Sequence, residues 1–199
     1  SAATHHSGSY YAMYANFPGL RVVVPSTPRD AKGLLKTALT CDDPVLFLEH
    51  RELLAIKGPV PEEEYFIDFG QAAVVREGSD VTVVSLGLML HRVLEAAAKL
   101  EEQGISVEVI DPRTISPLDT ATIKRSIAKT GRLLVVEESF APCGLGAEIA
   151  AQMAEHGPPG RHGAAVHVEL PGDGQVGTEA QIGGGERRQR VVEVDHMRT

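Results

Sequence analysis

Apolar positions along the chain fall into two alternating series with a polar stretch between them. In the first, Val22-Val23-Val24 is a β-branched run that stops at Pro25-Ser26-Thr27-Pro28. Apolar residues then recur at Ala31, Leu34, Leu35, Ala38 and Leu39, the i, i+3, i+4, i+7 spacing of a helix with one covered face. Thr27 is placed to cap this helix, with Pro28 at its first position and Asp30 as the acid of a capping box. Asp42-Asp43-Pro44 ends it, and Val45-Leu46-Phe47-Leu48 predicts a fully apolar second strand. The product is a βαβ unit, its strands expected to be buried side by side in a parallel sheet.

From Glu49 to Gly78 the pattern lapses, and Lys57-Gly58-Pro59-Val60-Pro61-Glu62-Glu63-Glu64 reads as a linker. The second series begins with a strand over 81–86 and a helix with Leu90, Val93, Leu94, Ala97 and Ala98 on one face, which closes at Gly104. A strand over 105–110 follows. Ser116-Pro117-Leu118-Asp119 repeats the cap, proline and acid arrangement of Thr27, so a helix is expected from there to Gly131. Strands over 133–136 and 166–170 flank a helix over 144–155. Strict alternation of this kind predicts a doubly wound α/β domain. Beyond Gly157 the glycine clusters and few large apolar residues predict a poorly ordered tail.

Composition narrows the function classes. With 27 acidic and 19 basic residues the net charge is -8, and no block of cations gathers to neutralise phosphates, which argues against nucleic acid as a partner. No run of about 18 apolar residues is present, so no membrane span is expected. Cys41 and Cys143 stand apart from any metal or redox spacing and read as buried or half-buried thiols in a reducing, cytoplasmic setting. The start, Ser1-Ala2-Ala3-Thr4, has neither the charge nor the apolar core of a signal peptide and lacks an initiator Met, as if the text were joined partway through.

Candidate chemistry is sparse. His5 and His6 precede Ser7 and the tyrosines Tyr10, Tyr11 and Tyr14; a histidine pair is a common acid/base device and, as often, simply solvated. Gly144-Leu145-Gly146 invites comparison with a dinucleotide-binding turn, but Ile149 replaces its third glycine, which favours a plain tight turn before a helix. Asp111 and Arg113 fall at the carboxyl edge of a strand. There Arg113 suits a ligand anion or, the favoured reading, an ion pair with a neighbouring loop. Glu137 and Glu138 end another strand and read as a solvated pair.

Ordered segments along residues 5–156 carry a resemblance. His6-Ser7-Gly8-Ser9, Phe17-Pro18-Gly19-Leu20-Arg21 with the run to Pro28, and Asp30-Ala31-Lys32-Gly33-Leu34-Leu35 resemble the pyrimidine-binding domain of 2-oxo acid dehydrogenase beta subunits. Asp43-Pro44-Val45, Gly78-Ser79-Asp80, Gly104-Ile105-Ser106, Arg113-Thr114-Ile115-Ser116-Pro117-Leu118-Asp119 and Lys129-Thr130-Gly131-Arg132 continue it in family order. The resemblance implies the end of a thiamine-diphosphate pyrimidine-binding domain over 1–55, a linker over 56–75, a transketolase C-terminal-like domain over 76–170 and an atypical tail over 171–199.

It also implies an activity: decarboxylation of a 2-oxo acid on thiamine diphosphate and transfer of the acyl group to a lipoyl arm. The cofactor would be the electron sink and the protein would orient it. An alpha subunit would hold the diphosphate and magnesium in an α2β2 assembly with a second beta subunit, and a lipoyl acyltransferase would receive the product. A bacterial chain of this kind works in the cytoplasm, a eukaryotic one in the mitochondrial matrix; the cytoplasm is preferred. His6 matches the histidine that assists acyl transfer. Backbone carbonyls of the loop at Ala38, Cys41 and Asp43 match a structural potassium site, with Cys41 where aspartate is commoner. The glutamate that activates the cofactor belongs upstream of Ser1, so the isolated chain is expected to be inactive. Two alternatives stand beside this reading: a non-catalytic fragment or association module, and a related acetoin dehydrogenase or transketolase-like enzyme.

Overall fold

Alternate side chains of the central strands point to opposite sides, and the two helical layers follow from that. The computed structural model describes residues 8–140, 142–156 and 165–168. Its larger sheet contains β3 (Ala73–Arg76), β4 (Val81–Ser85), β5 (Val107–Asp111), β7 (Leu133–Val136) and β8 (Ala165–Val168) in the order β3-β5-β4-β7-β8. All but β3 run parallel. Val83, Val107 and Val109 face α3 (Gly87–Glu101), where they bury Leu90, Val93 and Ala97. Val84, Ile110 and Val135 face the other way, onto Ile123 and Ile127 of α4 (Thr120–Thr130) and Ile149 of α5 (Leu145–His156). Thr82 shares this side, and its buried hydroxyl lies 2.6 Å from Ser126 Oγ and 2.7 Å from Thr130 Oγ1. The doubly wound α/β reading therefore holds.

A smaller sheet, β2-β1-β6, joins the first series to the second. β1 (Arg21–Val23) runs parallel to β2 (Val45–Phe47), and α2 (Pro28–Thr40) crosses between them. On its other side β1 pairs antiparallel with β6 (Thr114–Ser116). Short α1 (Tyr11–Ala15) packs beneath, with Tyr11, Val22 and Val24 in the same apolar cluster as Val84, Leu86 and Ile110. The core is thus continuous from Tyr11 into the larger sheet.

Several expectations change. Ser116 does not cap a helix, because its backbone is committed to β6 opposite Val22; after a cis Ser116-Pro117 bond the cap passes to Asp119, whose Oδ1 accepts from Thr122 N at 3.0 Å. Thr27 caps α2 as expected, and Gly131 closes α4 at φ 72, in the left-handed region that glycine enters without strain. The strand at Val45 is only half-buried, since β2 is the edge of its sheet. The stretch read as patternless contains a 3-10 turn, Arg51–Ala55, and the edge strand β3. Its middle lies along α2: Tyr65 Oη donates to Arg29 O at 2.7 Å, Thr37 Oγ1 to Ile67 O at 2.8 Å, and Ile67 packs on Leu34 and Val23. The tail, apart from β8, is outside the described residues. Among the described residues no helix is long and apolar enough to cross a membrane.

Candidate functional site

In an open sheet of this type the ligand crevice lies at the carboxyl edge, between neighbouring strands whose outgoing helices take opposite faces. Here those strands are β4, which leads into α3, and β7, which leads into α5 on the other face. The crevice is filled by the chain itself. Three contacts from the first 56 residues converge on it.

Ser26 is the first. Its Oγ accepts from Gly87 N at 2.9 Å, and its carbonyl lies 2.8 Å from His91 Nε2 on α3. Beside it, Asp30 of α2 faces Arg113, with Arg113 Nη2 2.8 Å from Asp30 Oδ1. The contact is ionic and poorly aligned: Asp30 Oδ1 and Arg113 Nε have no hydrogen-bond partner among the described residues. Asp30 Oδ2 accepts instead from Thr27 Oγ1 at 2.5 Å. Arg113 is held at φ 60, uncommon for a side-chain-bearing residue, and its N–H donates to Asp111 Oδ1 at 2.9 Å. Asp111 is fully buried, and its Oδ2 has no partner among the described residues. Burial pushes its carboxyl up to about 7; bonds from the Ser26 hydroxyl and Arg113 N–H pull it down, and the Asp30 charge adds to the rise.

Tyr11 makes the second contact, donating to Glu137 Oε2 at 2.8 Å. Ser139 Oγ donates to the same oxygen at 2.5 Å, and Gly146 N, in the first turn of α5, donates to Oε1 at 2.5 Å. A carboxylate at a helix N-terminus is favourably placed against the helix dipole. Burial, then the Glu137 charge, raise the Tyr11 hydroxyl well above its ordinary range. Gly144 is required here, because an added Cβ would come within 2.6 Å of Phe140 O and 3.1 Å of Glu137 Oε1.

His50 makes the third. Its Nδ1 accepts from Glu52 N at 3.2 Å, so Nε2 carries the proton and faces Glu138 Oε2 at 3.2 Å. The Ala38–Asp43 loop is separate from the crevice. There the Cys41 Sγ lies 3.6 Å from Ala38 O and 3.5 Å from Asp43 O, so both carbonyls face one point.

The favoured reading of Arg113 as a structural pair is met by Asp30. The reading of Glu137 and Glu138 as solvated is overturned: Glu137 is fully buried beneath Tyr11, and Glu138 faces His50. Gly144 and Gly146 make the tight turn that was preferred over a dinucleotide fingerprint. Cys143 is exposed at φ 59, contrary to the buried or half-buried thiol expected, and Cys41 is half-buried. Sequence reasoning missed Tyr11, Ser26, His50 and His91, whose partners are distant in the chain. His5, His6 and Ser7 are outside the described residues. Among the described residues no three His, Cys, Asp or Glu side chains gather to hold a metal ion.

Two family models match the chain: the transketolase pyrimidine binding domain over residues 1–57 and the transketolase C-terminal domain over residues 70–180. Among curated proteins it is 49% identical over 154 residues to the beta subunit of acetoin:2,6-dichlorophenolindophenol oxidoreductase of Cupriavidus necator, a match covering 77% of this chain and 46% of that one. It is 49% identical over 155 residues to the beta subunit of 2-oxoisovalerate dehydrogenase of Bacillus subtilis, covering 77% and 47%. Against the pyruvate dehydrogenase E1 component subunit beta of Staphylococcus epidermidis the identity is 48% over 151 residues, covering 75% and 46%. The chain therefore spans about half the length of the curated relatives it matches. A solved split-gene transketolase, described as an inactive beta4 tetramer, superposes with a TM-score of 0.70 at 29% identity over 81% of this chain and 52% of that one.

Proposed function

The chain belongs to the transketolase family, and from that premise we propose that it forms the beta-subunit part of an enzyme that decarboxylates a 2-oxo acid on thiamine diphosphate and passes the acyl group to a lipoyl arm. The identity of nearly one half to beta subunits of pyruvate, 2-oxoisovalerate and acetoin enzymes supports the reading. That identity carries the reading, and the Tyr11–Glu137 bond holds α1 at the carboxyl edge of the larger sheet. His6 lies five residues before Tyr11 in the sequence. It would be the acid/base of acyl transfer.

Among the described residues no three His, Cys, Asp or Glu side chains gather as a cradle for magnesium beside a diphosphate. In the proposed α2β2 assembly an alpha subunit supplies that cradle, and a lipoyl acyltransferase is the third partner. When bound, the coenzyme supplies the electron sink for loss of carbon dioxide. Tyr10, Met13 and Phe17, on α1 and just outside its two ends, are exposed and suit burial against a partner subunit. The cytoplasm is the proposed setting.

In the assembled enzyme, His6→Ala is expected to slow acyl transfer to a lipoylated acceptor by about a hundredfold or more, the usual contribution of a positioned acid/base, and to slow decarboxylation monitored with an artificial electron acceptor much less. Equal loss in both assays, or none in the first, removes His6 from the role.

A potassium ion held by the backbone carbonyls of Ala38, Cys41 and Asp43 is a further part of the proposal; Ala38 O and Asp43 O lie on the same side of that loop, 3.6 and 3.5 Å from Cys41 Sγ. A cation worth about 1 kcal/mol to the folded state raises the melting temperature of a chain this long by about 2–4 °C. That rise is expected in potassium chloride relative to sodium chloride of equal strength, and identical curves would remove the site.

A further inference from the structure

We propose that Asp111 is a proton-operated latch: while protonated it lets the first 56 residues close onto the carboxyl edge of the larger sheet, and when it ionises that closure loosens. The geometry is that of a cluster with one charge too many. Two carboxylates, Asp30 at 3% exposure and Asp111 at 0%, meet the single guanidinium of Arg113 where solvent is excluded. With both ionised the cluster carries a net negative charge, and Asp111 Oδ2 has no donor among the described residues. An unpaired anionic oxygen in such a place is far costlier than an unpaired neutral carboxyl.

The groups facing the cluster come from each element around it: Asp30 on α2, Arg113 after β5, and His91 on α3, which reaches the cluster through the Ser26 carbonyl. The same few residues carry part of the closure, beside the Tyr11–Glu137 and His50–Glu138 contacts. Ser26 bonds to Gly87 and His91, and Val24 N donates to Arg113 O at 2.9 Å.

The sign follows from linkage. The closed state holds the Asp111 proton up to about pH 7, whereas an opened or unfolded chain releases it near the ordinary value of 3.8. Closure is therefore strongest below pH 3.8, weakens as pH climbs toward 7, and is constant above that.

Hydrogen exchange of the full 199-residue chain tests this. It is read at the amides of Val24 and Gly87 between about pH 5 and 8 and corrected for the intrinsic rate. The opening constant should rise by about tenfold per pH unit up to the break near neutrality. In Asp111→Asn, which keeps an uncharged side chain of the same shape, it should be flat, and at pH 8 the variant should be better protected than the parent. A merely structural aspartate would make the variant less protected at every pH. A flat parent, or equal slopes in both proteins, overturns the proposal, the second outcome assigning the titration to a group other than Asp111. If Asp111→Asn does not fold, Asp30→Asn should move the break to lower pH by removing a charge that raises Asp111, and an unmoved break overturns the proposal equally.

Discussion

Arg113→Ala should lower the unfolding free energy by about 3–5 kcal/mol, the usual cost of deleting one partner of a buried ion pair. The loss has little to do with attraction between the two charges. It reflects what remains: Asp30 and Asp111, both buried, with no cation beside them. The left-handed backbone at φ 60 does not enter, since alanine and arginine bear that strain alike. Arg113→Lys should recover part of the loss, a compact ammonium replacing the charge without the guanidinium's planar reach. Urea unfolding at neutral pH measures both. A loss of unfolding free energy below about 1 kcal/mol for the alanine variant would show that water reaches the carboxylates and that the cluster is not sealed.

The second large effect is expected at Glu137. Glu137→Ala strands three donors at once, the hydroxyls of Tyr11 and Ser139 and the N–H of Gly146, and a buried donor left unmet costs about 1–3 kcal/mol. The hydroxyls can turn to other acceptors, whereas the amide of Gly146 cannot, so a total of roughly 3 kcal/mol is expected rather than the full sum. Glu137→Gln is the informative companion. Its carbonyl oxygen can still take Gly146 N–H, and its amide can donate to a hydroxyl, so it should be markedly milder. Thermal unfolding compares the two, and equal midpoints would mean that the volume and the bonds a glutamine keeps contribute nothing to stability.

What could be read in advance divides by the range of the forces involved. Thr27, Pro28 and Asp30 sit within one turn of each other, and the helix they start was legible from spacing alone. Ser116-Pro117-Leu118-Asp119 has the same grammar but a different outcome, because Ser116 is engaged by Val22 from far up the chain. The strand at Ala73 was hidden for a related reason: at a half-exposed edge its residues need no alternating pattern, and only the neighbouring β5 gives it an extended shape. Glu137 and Glu138 looked alike as text and are opposite in space, one sealed under Tyr11, the other beside His50. Family likeness supplied the layout that local rules could not, including the nomination of His6.

The β1–β6 pairing also bears on how the molecule comes into being. Val22 waits for Ser116 before its side of the small sheet can close, and every residue of the intervening strands and helices must be made first. During synthesis the opening segment can form α2 early, from neighbours alone, but it cannot settle until β6 has left the ribosome. Contacts between such distant stations are slow to find, because the long loop between them must be closed before anything is gained. A segment made well before β6 is therefore among the last to be locked in place.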